Sequence, residues 1–325
     1  MVMLLVGVAL LNALLAGFHG SAAVVATVIS SRALAPRRAL AVAGGAAFIG
    51  PLVLGTAVAG TLGRDLIAPA GMTPVVLLSA LLAATVWVLF TWRVGVPCSA
   101  SQALVGGLLG AATLAAGPGA VRAAGLWKVL IGLFISPPLG LLTGLAVMAG
   151  VLVLARRATP RANELFKRLQ FFTSLALALV VSSNDAQKLM GLITLGLILT
   201  GQQPAFSVPL WVVGASAAAF ALGVLSGGYR LIRTLGGRIF RIRPVHGFSA
   251  QFAAGLVILG ASLTGLPVSS TQVVSTAIFG VGSAERPTKV RWQVAGEMIS
   301  AWVLTIPATA ALAGLTYALL KGFLA

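Results

Sequence analysis

The segments VPCSASQALVGGLLG at 96–110 and LPVSSTQVVSTAIFG at 266–280 share one pattern. Each has a proline at its second position, continues through a cluster of hydroxyl residues to a glutamine, and then becomes apolar. A second, weaker pair consists of GFHGSAAVVATVIS at 17–30 and SSNDAQKLMGLIT at 182–194, with His19 at the position of Asn184. Because both pairs occur in the same order, the sequence indicates a tandem duplication, with one copy in each half.

The composition predicts an integral membrane protein. Hydrophobic residues make up 59% of the 325 residues and charged residues 8%, with a mean hydropathy of +1.06. Apolar stretches repeatedly reach the roughly 20 residues that a helix needs to cross a bilayer. They lack the ten-residue alternation of a β-barrel, so an all-α fold is expected. The predicted spans are 1–31, 39–61, 74–92, 94–121, 126–155, 171–200, 207–229, 247–266, 267–284 and 293–320.

The net charge of +17 would suggest a nucleic-acid partner if the protein were soluble. With ten spans, however, 17 of the 22 Lys and Arg residues lie in loops on one side of the membrane. The other side carries Arg64, Arg122, Lys128 and Lys321. This bias predicts that the loops at 156–168 and 230–243 are cytoplasmic and that both termini are outside. Solvated loops account for the charge, and no nucleic-acid binding is expected.

Five spans in each half make the second copy enter the membrane from the opposite face. The predicted organisation is a first inverted repeat at 1–155, a basic cytoplasmic linker at 156–170 and a second inverted repeat at 171–325. Inverted repeats are typical of secondary transporters, whose substrate site lies near the middle of the bilayer. Broken or re-entrant helices would give about 10–12 membrane segments.

Two pairs of helix interruptions are predicted. The first spans of the two halves are about 30 residues long, and their polar clusters at 17–21 and 182–188 are interpreted as helix breaks. The segments around Pro97 and Pro267 are the second pair, since proline fits a first helical turn. Free N–H groups at such breaks favour an anion and free carbonyls favour a cation.

Asp185 is the strongest candidate for a functional group. It is one of five acidic residues, and a carboxylate within a span is usually a proton relay or a ligand. The alternative is a structural ion pair with Lys188, which itself would either bind the anion or neutralise Asp185. Asn184 is either a ligand or a helix cap, and His19 is either a proton acceptor or a packed side chain.

The sequence resembles the inorganic phosphate transporter family (PiT or PHO4-like), which carries a duplicated G-x-N-D-x-A-N signature and repeated P-x-S-x-[ST]-H segments. The resemblance covers nearly the whole chain and implies transport of phosphate with sodium or protons, or of sulfate in one branch. The matching stretches are GFHGSAAVVATVISSRALAPRRAL, GVPCSASQALVGG, SSNDAQKLMGLI, RPVHGFSAQFAAGL and GLPVSSTQVVSTAIFGVG.

Departures from the family pattern concern the first signature. His19, Gly20 and Ala23 stand where the family has Asn, Asp and a later Asn, and Gln102 and Gln272 stand where it has His. The resemblance implies that the acidic and amide residues of both signatures bind cations. One of two related sodium positions has therefore lost its carboxylate, and the coupling ion, H⁺ or Na⁺, stays open.

Taken together, the sequence predicts a symporter of the inner (cytoplasmic) membrane that imports inorganic phosphate by alternating access. It is not expected to be an enzyme or to need a cofactor. The predicted substrate-binding residues are Ser99, Ser101, Gln102, Asn184, Lys188, Ser269, Ser270, Thr271 and Gln272. The predicted coupling-ion residues are Asp185, Asn184 and His19, with any sodium at Asn184 and Asp185.

Three alternatives remain open: a sulfate permease, a passive channel, and an anion-binding protein without transport. Protonated phosphate can donate a hydrogen bond to Asp185 and sulfate cannot, which favours phosphate. Partners other than the solute and the lipid bilayer are not predicted, and the oligomeric state, a homodimer included, is open.

Overall fold

The computed structural model describes residues 1–157, 159 and 161–324. Of residues 323 and 324 it describes the backbone only. Within that part the chain forms twelve α-helices, and the predicted all-α membrane architecture is confirmed. The helices are α1 Val2–Ser30, α2 Pro36–Val53, α3 Ala57–Gly60, α4 Pro74–Val94, α5 Ala100–Ala116, α6 Ala123–Leu154, α7 Ala162–Leu199, α8 Leu210–Ser226, α9 Tyr229–Arg233, α10 Pro244–Leu263, α11 Ser270–Glu285 and α12 Trp292–Leu324.

The same order of elements occurs in both halves of the chain. A long helix (α1 or α7) is followed by a bent pair (α2–α3 or α8–α9), two helices joined by an extended segment, and a final long helix (α6 or α12). Six described helices are long and apolar enough to cross a membrane, or eight spans if each bent pair counts as one. The protein is therefore a multi-pass membrane protein. The opposite orientation of the halves stays a prediction.

The predicted breaks at 17–21 and 182–188 are wrong, because α1 and α7 are each continuous. Instead the chain bends by 72° between α2 and α3 and by 61° between α8 and α9. Gly55 and Gly227 lie at these bends with φ values of 78° and 66°, a left-handed conformation that glycine adopts without steric cost. A short π-helical turn follows each bend, at Thr61–Asp65 and Thr234–Arg238.

Polar side chains of the two long helices satisfy the backbone that these bends expose. Gln187 of α7 accepts a hydrogen bond from Val58 N at 2.8 Å, and Ser21 of α1 accepts one from Gly228 N at 2.9 Å. A free backbone group at membrane depth is costly, so such partners are required. Two of the polar residues that suggested breaks in α1 and α7, Ser21 and Gln187, therefore support bends in the opposite half.

The predicted interruptions at Pro97 and Pro267 are confirmed. Gly95 ends α4 and Gly265 follows α10, with φ values of 80° and 67°, and four extended residues then lead into α5 or α11. The two π-helical turns hold these glycines, since Thr61 Oγ1 donates to Gly265 O at 2.9 Å and Thr234 Oγ1 donates to Gly95 O at 3.2 Å. Each extended segment is thereby fixed by the other half of the chain.

The linker predicted at 156–170 includes Ala158 and Pro160, which lie outside the described residues, as Ala325 of the second repeat does. From Ala162 onward the chain is already helical, and α7 includes the basic residues Lys167 and Arg168. The predicted cytoplasmic end of α7 thus begins earlier than the apolar stretch at 171 suggested.

Glycine contacts bring the two halves together. Helix α5 packs on α12 through Gly106 and Gly110, and α11 packs against Gly140 and Gly144 of α6. A Cβ added at Gly110 would overlap the carbonyl oxygen of Ala310. Small residues at these crossings let helices of different halves approach closely.

Gly110→Ala should therefore destabilise the protein by about 1–3 kcal/mol, because a backbone oxygen cannot move aside as a side chain can. The measurement is thermal unfolding of the purified protein in detergent. Gly150→Ala in α6 is the matched control, since a Cβ added at Gly150 would have no other atom within 4 Å. Equal melting temperatures for the two variants would contradict the tight crossing of α5 and α12.

Candidate functional site

Asp185 and Lys188 form a buried ion pair in the middle of α7. They lie one helical turn apart, and Lys188 Nζ is 2.5 Å from Asp185 Oδ1. The Lys188 side chain is 1% exposed and that of Asp185 is 11% exposed. The pairing that the spacing of three residues allowed is present, so the carboxylate does not stand alone in the membrane interior.

Three oxygen atoms from different elements surround the Lys188 ammonium group. Besides Asp185, it donates to Ser101 Oγ in α5 at 2.6 Å and to Val268 O, in the segment before α11, at 2.6 Å. Ser270 in the first turn of α11 donates to the second oxygen of Asp185. The pair therefore lies where α5 of the first half and α11 of the second half begin.

Both of these helices start with a serine cap. Ser99 Oγ accepts from Gln102 N at 3.1 Å, and Ser269 Oγ accepts from Gln272 N at 3.4 Å. The other N–H groups of a first turn have no carbonyl partner within their helix, and the helix dipole is positive at this end. Two such ends next to an ammonium group form an environment suited to an oxyanion.

Asn184 contacts the second extended segment. Its Nδ2 donates to Ser262 Oγ at 3.0 Å and to Leu266 O at 3.4 Å. Its Oδ1 is buried and accepts no hydrogen bond from the part of the chain that the structure describes. Asn184 lies inside the continuous α7 and is not a helix cap, so a free acceptor oxygen remains next to Asp185 along the chain.

The remaining predicted residues do not bond to the ion pair. Thr271 is buried in the first turn of α11. Gln102 and Gln272 line a separate cavity of about 340 Å³ with Pro137 and Trp302. His19 is 2% exposed, and neither ring nitrogen has a hydrogen-bond partner among the described residues.

A family model described as the phosphate transporter family matches residues 16–313. This chain belongs to that family. It is 38% identical over 309 residues to a protein of Bacillus subtilis (strain 168), and 40% identical over 315 residues to one of Rhizobium meliloti (strain 1021). Both are named probable low-affinity inorganic phosphate transporter. The first match covers 94% of this chain and 92% of the relative, the second 96% and 94%.

A solved structure described as "The sodium-dependent phosphate transporter" has the same fold. The TM-score is 0.86, and the alignment covers 98% of each chain at 22% sequence identity. The resemblance drawn from the duplicated segments is thus confirmed at the level of the family. At this identity the structural match supports the fold only.

Two contacts in this phosphate transporter family member were not predicted from the sequence. One is the carbonyl of Val268 as a partner of Lys188, and the other is Ser262 as the partner of Asn184. The Gly-x-Pro sequence at 95–97 and 265–267 was the available signal for the first, since it marks an extended backbone with free carbonyl groups. Nothing in the sequence around Ser262 indicates its contact.

A mutant cycle on the ion pair tests its structural role. Lys188→Met leaves the Asp185 carboxylate buried without its partner, which should cost about 3–5 kcal/mol. The double variant Asp185→Asn, Lys188→Met removes both charges at similar volume and should recover most of that loss. Thermal unfolding in detergent measures both. If the double variant is less stable than Lys188→Met alone, the pair is not the source of the loss.

Proposed function

We propose that the protein is a secondary active symporter that imports inorganic phosphate across the cytoplasmic membrane by alternating access. Family membership and the names of the relatives support phosphate as the substrate. The observation that carries the proposal is the Lys188 ammonium group, held between the first turns of α5 and α11 at the end of two helix dipoles. A binding site for a small oxyanion needs this combination of charge and donors.

In the proposed site, Lys188 and the first turns of α5 and α11 bind the phosphate oxygens. Ser101 and Ser270 now bond to the ion pair, and they would turn their hydroxyl groups to the anion when it enters. Thr271, Ser99 and Ser269 lie in the same two turns. Gln102 and Gln272 face the neighbouring cavity, so they would act on the site indirectly.

Charge balance favours a proton as the coupling ion. The empty site is neutral because Asp185 and Lys188 cancel, and adding an anion alone would leave a net negative charge at low dielectric. Protonation of Asp185 releases Lys188 to the phosphate, and a site holding the monoanion and one proton is again neutral. Co-transport also removes the electrical cost of about 2.3 kcal/mol per 100 mV for each negative charge imported.

Sodium is the second candidate for the coupling ion. The free Oδ1 of Asn184 beside Asp185 supports it, because Na⁺ is bound by carboxylate and amide oxygens. The solved structure that shares this fold is described as sodium-dependent, which is a property of that protein. Against it, one Asp185 oxygen and the Val268 carbonyl oxygen already accept hydrogen bonds from the Lys188 ammonium group.

Alternating access is supported by the burial of the site. Asp185 is the more exposed member of its pair with Lys188, at 8% for the whole residue, so little of the pair reaches solvent in this conformation. Movement of the two halves about the central pair would open it to each side of the membrane in turn.

Asp185→Asn should uncouple transport while preserving phosphate binding, because Lys188 stays free for the anion and no proton is taken up. In liposomes with an imposed proton gradient, the variant should exchange phosphate across the membrane without accumulating it. Uphill uptake by the variant would disprove the coupling role of Asp185. Asp65→Asn is the matched control, since Asp65 lies in a surface pair with Arg64 and should not affect uptake.

The same liposome assay distinguishes between the two coupling ions and between a symporter, a channel and a non-transporting protein. A proton gradient alone should drive phosphate uptake by the unmodified protein, with sulfate taken up less well. If only a sodium gradient drives accumulation, sodium is the coupling ion. Uptake that never exceeds the electrochemical equilibrium of phosphate would instead identify a channel, and binding without flux a non-transporting protein.

The predicted orientation can be tested with cysteine labelling. The native Cys98 is buried and should react little. In intact cells, a membrane-impermeant maleimide should label Gln202→Cys, in the loop after α7 that is predicted to be outside, and not Arg157→Cys, in the predicted cytoplasmic loop. Both positions are exposed. The reverse labelling pattern would invert the proposed topology.

A further inference from the structure

A large basic cavity lies at the end of the bundle that the charge distribution predicts to face the cytoplasm. We refer to it as the inner basic cavity. Its volume is about 840 Å³, and its walls are the end of α1, the π-helical turn after α9, the start of α10, and the end of α11 with the loop that follows. The basic residues lining it are Arg32, Arg241, Arg243, Arg286, Lys289 and Arg291.

One wall of this cavity is held by a cluster around Glu285, the single carboxylate among the lining residues. Glu285 accepts a hydrogen bond from Arg243 and lies 2.9 Å from Nε2 of the buried His246. The backbone N–H of Arg291 donates to Ile239 O at 3.0 Å, which joins the loop after α11 to the segment before α10. The cavity is therefore built by ordered contacts between elements far apart in the sequence.

The other basic side chains of the cavity have no acidic partner within ion-pair distance in the part of the chain that the structure describes. Arg32 is notable for its backbone, since it has a φ of 59° at the end of α1. Glycine is the usual residue at this position after a helix, and a side chain there is unfavourable. The chain thus places an arginine next to the cavity at a conformational cost.

The corresponding cavity in the other half provides an internal comparison. It lies beside the π-helical turn Thr61–Asp65, has a volume of about 180 Å³ and is mostly apolar, with Arg64 and Arg122 as its basic residues. A general excess of basic residues in cytoplasmic loops explains positive charge on that face. It does not explain why six such residues line one cavity.

We propose that the inner basic cavity binds an anion that carries several phosphate groups, either soluble or part of a lipid headgroup. The six basic residues exceed the single carboxylate by five charges, which one inorganic phosphate could not balance. The volume falls in the range of small-molecule sites, roughly 300–1,000 Å³, and is too large for a single phosphate ion. This site is separate from the Asp185–Lys188 pair, and none of its lining residues takes part in the proposed transport site.

The test uses the full chain in nanodiscs of zwitterionic lipid, titrated with inorganic tripolyphosphate in a calorimeter. Saturable binding that excess inorganic phosphate does not displace is expected. The triple variant Arg241→Gln, Arg286→Gln, Arg291→Gln should bind roughly ten-fold more weakly, since it loses three ion pairs to the ligand. The control triple Arg37→Gln, Arg38→Gln, Arg157→Gln removes the same charge from the same predicted face, outside the cavity, and should bind as the unmodified protein does.

Absence of saturable binding to the unmodified protein, or equal weakening in both triple variants, would overturn the proposal. Glu285→Gln guards against a misfolded triple variant. The glutamine keeps an oxygen that can accept from Arg243 and removes the one negative charge, so this variant should bind tripolyphosphate more strongly. Weaker binding by this variant in a monodisperse sample also counts against the proposal. Phosphate exchange in liposomes is measured for each variant as a check that the protein is folded.

Lipid composition then separates the two sources of the anion. If a headgroup fills the cavity, cardiolipin in the nanodisc should weaken tripolyphosphate binding to the unmodified protein, and phosphatidylglycerol of equal total charge should not. If neither lipid changes the affinity, a soluble anion is the ligand. Both results support the site and differ only in the origin of the phosphate groups.

Discussion

The buried ion pair between Asp185 and Lys188 is the interaction on which the arrangement of the central helices depends. Either charge alone would be costly at membrane depth, and even the pair needs further hydrogen bonds to its remaining protons and oxygens. Ser101, Val268 and Ser270 supply them, from the start of α5, the segment before α11 and the first turn of α11. The need to satisfy one pair thus brings two helix starts from different halves to the same point.

The rest of the fold makes these two helix starts possible. Each extended segment is preceded by a glycine in the left-handed conformation and is held through that glycine's carbonyl by a threonine of a π-helical turn. The backbone N–H groups exposed at the bends before those turns donate hydrogen bonds to Gln187 and Ser21 of the long helices. These irregular backbone segments in the centre are therefore supported by the opposite half, as the lack of water in a bilayer requires.

The halves share this framework and differ in their polar groups. Asp185 and Lys188 in α7 correspond to Gly20 and Ala23 in α1, so the second half supplies the central charges and the first half supplies Ser101 to them. The same asymmetry occurs in the cavities of the two halves, where one is small and mostly apolar and the other is large and basic. A duplicated scaffold with one charged site suits a cycle in which both halves close around a single solute.

The sequence by itself determined the fold class, the position of the helices, the interruptions at Pro97 and Pro267 and the family. The fold class, the helices and the interruptions follow from hydropathy and proline geometry, which are local properties of the chain, and the family follows from the resemblance of the duplicated motifs. It also singled out Asp185 and Lys188, because a charge within an apolar span is rare and the spacing of three residues places both on one helical face.

Only the tertiary structure decided where the helices break and which polar residues meet. The clusters at 17–21 and 182–188 suggest breaks along one helix, but Ser21 and Gln187 in them bond to backbone in the other half, and the bends occur at Gly55 and Gly227 instead. The partners of Lys188 and Asn184 on other elements lie between 78 and 87 residues away in sequence. No local pattern encodes such pairings, because they arise from the packing of helices whose order in space the linear sequence does not state.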